Sequence, residues 1–148
     1  VGVLELVEQG GMLRELHFRS SGEAPPLETP LSPVLQLCFL ELEEYFQGKR
    51  HRFTMPLYLQ GTPFQIEVWR TLREIPYGET RSYQDVALAI GNPRALRAVG
   101  GANNKNPLAI IIPCHRVIGK NGSLTGFGGG LAIKEWLLEH EKRHALKG

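Results

Sequence analysis

Two helical segments separated by only a few residues constrain this chain more than any other feature. Ser82-Tyr83-Gln84-Asp85 is a helix start signal, a serine followed three residues later by an acid. That helix stops at Gly91, and Asn92-Pro93 opens a second one, Arg94 to about Ala102. So short a turn forces the helices to cross steeply, a helix-turn-helix pattern whose second helix carries Arg94 and Arg97. Ala98, Gly100, Gly101 and Ala102 make that second helix unusually small-sided. Two adjacent glycines weaken a helix, so they answer another need. Either a tight turn or a close approach to a backbone would account for them.

Charge leans the same way. Residues 1–60 hold five Lys/Arg against eight Asp/Glu, whereas residues 61–148 hold twelve against seven. Between 81 and 120, Arg81, Arg94, Arg97, Lys105, Arg116 and Lys120 face a single acid, Asp85. A stripe of that sign suits a polyanion partner; a solvated basic face is the alternative. With 42% hydrophobic residues the chain can bury a core, which excludes a disordered or collagen-like class. No apolar run approaches the ~20 residues of a membrane span, and no basic-then-apolar start reads as a signal peptide. Two cysteines, Cys38 and Cys114, do not make a disulfide framework. The expectation is a reduced, cytoplasmic protein with no membrane partner.

The remaining elements frame an α+β chain. Val3 to Phe18 reads as two strands around Gly10-Gly11, and a hairpin alone is marginal, so a further strand is expected upstream. Residues 20–31 read as loop. Ser32-Pro33 starts a helix that runs to about Gln47, with Gly48 as its stop. Cys38 inside it reads as a small buried hydrophobe. A boundary near Gln60-Gly61 divides a structural N-terminal α/β lobe, 1–60, from a mainly helical lobe, 61–148. Thr62-Pro63-Phe64-Gln65 is a capping box opening a helix to about Glu74, with Phe64, Val68, Leu72 and Ile75 at helical spacing. A final helix is expected from Leu131 to Arg143.

The chemistry gathers at Pro113-Cys114-His115-Arg116-Val117, which ends the apolar run Pro107 to Ile112. Positive neighbours stabilise a thiolate, and the thiolate is the nucleophile. Adjacent residues of an extended segment point to opposite faces, so His115 needs a kink or a water to reach the sulfur.

That pentapeptide resembles the signature of the O6-alkylguanine-DNA alkyltransferases, the methylated-DNA–protein-cysteine methyltransferases. The resemblance extends to Ile75-Pro76-Tyr77-Gly78-Glu79 with Ser82-Tyr83, to Arg94 through Ala102, to Asn106-Pro107, to Gly126-Phe127-Gly128-Gly129-Gly130 and to Lys134-Glu135-Trp136-Leu137-Leu138. It is strong over about residues 62–143 and weak over 1–60. It implies direct reversal of DNA alkylation, with the alkyl group moved from O6-alkylguanine, and O4-alkylthymine, in duplex DNA to Cys114. The helix-turn-helix would enter the minor groove, with Ser82, Arg94, Ala98, Gly100, Gly101 and Ala102 against DNA. Arg97 would fill the place of an extruded nucleotide. His115 would take the thiol proton through a water, and Glu141 would orient His115. On the residues alone, Glu141 reads as a surface acid beside Lys142 and Arg143.

The same resemblance gives Tyr83 a hydrogen bond to the leaving base and makes Asn106 a brace for the cysteine loop. It places Val117, Arg116, Phe127 and Gly128 along the substrate pocket. Some members carry a Tyr-Ser pair where this chain has Phe127-Gly128, which opens the pocket to bulkier adducts. Members that bind zinc use cysteines and histidines of the first lobe. Here Cys38, His17 and His51 lack ligand spacing, so neither metal nor cofactor is expected. The S-alkylcysteine product would be permanent, one lesion per molecule of a monomeric protein, in the nucleoid of a prokaryote or the nucleus of a eukaryote. Two rival readings are a lesion binder that performs no transfer and a hydrolase using Cys114 and His115. The first conflicts with the presence of Cys114, and the second leaves Arg97 and the basic stripe without a role.

Overall fold

The computed structural model describes residues 3–19, 31–120, 122 and 130–145. Strands β1 (Val3–Gln9) and β2 (Met12–Arg19) form the expected antiparallel hairpin. Gly10 and Gly11 close it at φ +59 and +80, a region that residues with a Cβ resist. The outer edge of β2 is filled by later chain. Leu13 N–H donates to Pro56 O at 2.9 Å, Tyr58 N–H returns to Leu13 O at 2.8 Å, and Leu16 N–H donates to Pro107 O at 2.8 Å. These bridges bury Leu13 and Leu16 and occupy an edge that would otherwise invite pairing.

Helix α1 (Pro33–Phe46) starts where Ser32 accepts from Leu35 N–H ahead of Pro33. Helix α2 (Pro63–Arg73) starts on a full capping box. Thr62 Oγ1 accepts from Gln65 N–H at 3.1 Å, and Gln65 Oε1 accepts from Thr62 N–H at 3.0 Å. A two-residue strand, β3 (Arg81–Ser82), leads into α3 (Tyr83–Ala89), where Ser82 and Asp85 cap reciprocally. It pairs in parallel with β4 (Val117–Ile118), an element too short to leave a period in the sequence. The second helix of the pair, α4 (Leu96–Asn104), begins two residues later than expected. A turn closed by Ala95 N–H to Asn92 O at 3.0 Å takes up Arg94, and Ala95 offers no side chain to cap an earlier start. Helix α5 (Leu131–His144) closes the described fold.

One apolar core runs through both halves of the chain. Leu13, Leu16, Cys38, Leu42 and Tyr45 belong to the same buried cluster as Val68, Trp69, Leu72, Val99, Ile112 and Leu137. Cys38 is fully buried in it, as its apolar neighbours imply, and burial pushes its thiol up to about 11. Trp69 locks the helix-turn-helix to this frame: its indole Nε1–H donates to Ala102 O at 2.9 Å. No described helix is long and apolar enough to cross a membrane.

Candidate active site around Cys114

The chain reaches Cys114 through a braced, strained loop. Asn106 spans it, with Nδ2 donating to Ile112 O at 2.7 Å and Oδ1 accepting from Leu108 N–H at 2.9 Å. Inside that span Ile110 sits at φ 71, the left-handed region that β-branched residues avoid. Burial of Ile110, Ile111 and Ile112 holds it there. A single 3-10 turn, Cys114–Arg116, follows. This turn is the kink that an extended reading of Cys114-His115 lacked.

Cys114 is 6% exposed, and burial pushes its thiol above the ordinary value; the Asn106 side chain and the Lys134 charge act against that rise. The resting sulfur is therefore a thiol, and attack requires a base. His115 is fully buried beside it in the chain. Its Nε2 lies 2.6 Å from Glu141 Oε2. Burial lowers the imidazole pKa, with Glu141 opposing, so the ring is neutral near pH 7. A neutral ring that donates from Nε2 keeps the lone pair on Nδ1. Nδ1 is buried and has no hydrogen-bond partner among the described residues.

Glu141 is the centre of the arrangement. It is fully buried on α5, not a surface acid paired with its helix neighbours. Besides His115, its Oε2 accepts from Tyr45 Oη–H at 2.6 Å and Arg116 Nη2 at 3.0 Å, and its Oε1 accepts from Arg116 Nε at 2.7 Å. Burial disfavours the carboxylate, but His115 and Arg116 outweigh it and hold the carboxyl well below its usual range. Arg116, expected along the substrate pocket, is 5% exposed and committed elsewhere. Its Nη1 donates to Ile75 O at 2.7 Å, and its Cζ lies 5.6 Å from the Tyr77 ring centre. With Nε and Nη2 on Glu141, the guanidinium is spent on structure.

The sequence reading missed two participants, Tyr45 and Lys134, and the true partner of a third, Arg116. Tyr45 comes from α1 in the other half of the chain, and no local pattern marks it. Arg116 was noticed, but its partner is 25 residues away. Lys134, fully buried, donates Nζ–H to Val117 O at 2.6 Å, and its charge favours the Cys114 thiolate. Its burial in a charge-rich helix gives no sequence signal.

The other expected residues divide clearly. Arg97 and Ala98 are exposed on α4, Gly101 is exposed and Gly100 half-buried. Both glycines are helical, and a Cβ at either would meet nothing within 4 Å, so a tight turn is not their purpose. Ala102 stands apart from that face: it is buried, with its carbonyl bound to Trp69. Arg94 is exposed in the turn before α4. The Ser82 hydroxyl accepts from Asp85 N–H at 3.0 Å as a helix cap. Tyr83 is half-buried at the start of α3, and Val117 is fully buried on β4. Phe127 and Gly128 lie outside the described residues. Among the described residues no three His, Cys, Asp or Glu side chains gather as metal ligands.

Residues 63–143 match the 6-O-methylguanine DNA methyltransferase DNA-binding domain. Residues 1–59 match the ribonuclease-like domain of 6-O-methylguanine DNA methyltransferase. A methylated-DNA–protein-cysteine methyltransferase of Mycobacterium bovis is 47% identical over 147 residues, covering 98% of this chain and 89% of that protein. The enzyme of the same description from Methanosarcina barkeri is 60% identical over 104 residues, covering 70% of this chain but just under two thirds, 66%, of its own length. A solved structure of Mycobacterium tuberculosis OGT in complex with DNA superposes with a TM-score of 0.84 at 46% identity, covering 95% of this chain and 87% of that one.

Proposed function

The chain belongs to the 6-O-methylguanine DNA methyltransferase family, and from that premise we propose that it repairs alkylated DNA by moving the alkyl group from O6-alkylguanine to Cys114. The observation that carries the reading is the buried chain of groups behind the sulfur. Glu141 fixes His115 through Nε2 and leaves Nδ1 to accept a proton.

The thiol proton passes to His115 Nδ1 through a water. The sulfur attacks the alkyl carbon in line, the S–C bond forms, and the C–O6 bond breaks with its electron pair going to the guanine. Tyr83 hydrogen-bonds the base as that charge builds, and Glu141 stabilises the imidazolium. The thioether formed has no route back, so each molecule acts once. O4-alkylthymine presents a similar alkyl carbon and is expected to react in the same way.

The open face of α4 supports docking on duplex DNA. Gly100 and Gly101 keep the helix thin where nothing in the protein approaches, and Arg97, exposed on the same helix, would occupy the gap left by an extruded nucleotide. Extrusion costs a few kcal/mol, least for a poorly paired base.

The test is intact-protein mass spectrometry after incubation with a short duplex holding one O6-methylguanine. A gain of one methyl group per protein, mapped to Cys114 and absent from Cys114→Ala, is expected. Lesion-selective binding without a mass gain would replace transfer by recognition alone.

A further inference from the structure

We infer that Tyr45, a residue of the first half of the chain, is a positioning residue for the chemistry at Cys114, acting through Glu141. The inference deepens the alkyl-transfer reading and rests on it for the identity of the reaction. Tyr45 is fully buried in the last turn of α1 and reaches α5 at two points. Its hydroxyl donates to Glu141 Oε2 at 2.6 Å, and its backbone carbonyl accepts from His140 Nε2 at 2.7 Å. Consecutive residues of α5 are thus fixed by one residue of α1. The ring has little freedom. It lies edge-on to Phe46 and Tyr77, with centroids 5.2 and 6.1 Å away, and tilted against Phe53 at 5.6 Å and His140 at 5.3 Å.

The oxygen that Tyr45 grips is the one that also grips His115. A donor on that oxygen does two things. It fixes where the imidazole is held, and it draws off charge that would otherwise act on His115 alone. The groups facing His115 are Glu141 and Lys134 on α5 and Arg116 on the cysteine turn; Tyr45 and Tyr77 face Glu141. Among the described side chains that hydrogen-bond Glu141, Tyr45 is the one whose donor can be deleted while every charge and the ring packing stay in place. Removing it leaves more carboxylate charge on His115, so the imidazole protonates at higher pH.

Tyr45→Phe is compared with the unaltered protein in two reactions followed by mass: benzyl transfer from free O6-benzylguanine, and alkylation of Cys114 by iodoacetamide. Both are run from about pH 5 to pH 9. In the variant the acid limb of both profiles is expected to move up by about half a pH unit, with the plateau about threefold lower. Phe53→Leu loosens the same aromatic cluster without touching Glu141. It should lower the melting temperature and leave the limb in place.

An acid limb unmoved in Tyr45→Phe, or moved downward, would overturn the inference and leave Tyr45 a packing residue. If the unaltered protein takes neither the benzyl group nor the methyl group of an O6-methylguanine duplex while Cys114 still reacts with iodoacetamide, the alkyl-transfer reading fails. The iodoacetamide profile then still decides the role of Tyr45.

Discussion

Glu141→Gln tests the buried charge network at its centre. The carboxylate accepts four hydrogen bonds, two of them from Arg116, and both partners are almost wholly out of water. An amide keeps the shape but turns one acceptor oxygen into a donor, facing groups that are themselves donors. It also leaves the Arg116 charge buried and unmatched. Breaking one side of such a pair costs about 3–5 kcal/mol. That is a large part of the ~5–15 kcal/mol by which a domain is stable, and corresponds to a melting shift on the order of 10 °C.

The pH dependence has a definite sign. The carboxyl of folded Glu141 is held well below its ordinary value of 4.5. Its contribution is therefore fully present above pH 4.5 and is lost as pH falls toward the lowered value. The gap between the two proteins should be widest near neutrality and narrow in acid. Urea titrations at neutral and acidic pH, with the cysteines reduced, measure it. The half-exposed Arg50–Glu44 pair, at 2.8 Å, is the internal comparison: Glu44→Gln should cost under about 1 kcal/mol. A loss below about 1 kcal/mol at neutral pH for Glu141→Gln would refute the reasoning, because it would mean the Arg116 charge finds water or another partner at no cost.

Other expectations follow from single contacts. Gly101→Ala should stabilise the protein by about 0.5–1 kcal/mol, since its Cβ meets nothing and the helix gains propensity, yet weaken binding to duplex DNA. Thermal melts and a binding titration decide between this and a purely structural glycine, for which affinity would not change. Arg97→Ala should slow repair in duplex DNA more than reaction with free O6-benzylguanine, and equal losses on the two substrates would remove the extrusion role. Trp69→Phe deletes the indole bond to Ala102 and should cost about 1 kcal/mol by urea titration.

How much of this was legible in the sequence depended on the distance between partners. The starts of α1, α2 and α3 were readable because a cap and its receiver lie three residues apart. The brace at Asn106 reaches only to Leu108 and Ile112, within the same segment. Glu141 was misread on its local pattern because its helix is rich in charge, and what buries it comes from 25, 26 and 96 residues away. The start of α4 was misplaced because no side chain caps it, so the turn from Asn92 to Ala95 could not be told from a first helical turn. The filled edge of β2 was hidden for a different reason: its partners at 56–58 and 107 are irregular chain with no alternation to detect.

The bond from Trp69 to Ala102 also gives the protein an optical gauge of its own. The chain has two tryptophans, Trp69 with 2% of its surface in water and Trp136 with 42%. They should emit at different wavelengths, and a soluble quencher should reach only the second. Replacing Trp136 with phenylalanine would leave one indole, seated where α2 meets α4. Its emission would then report strain at that joint with no dye attached to α4.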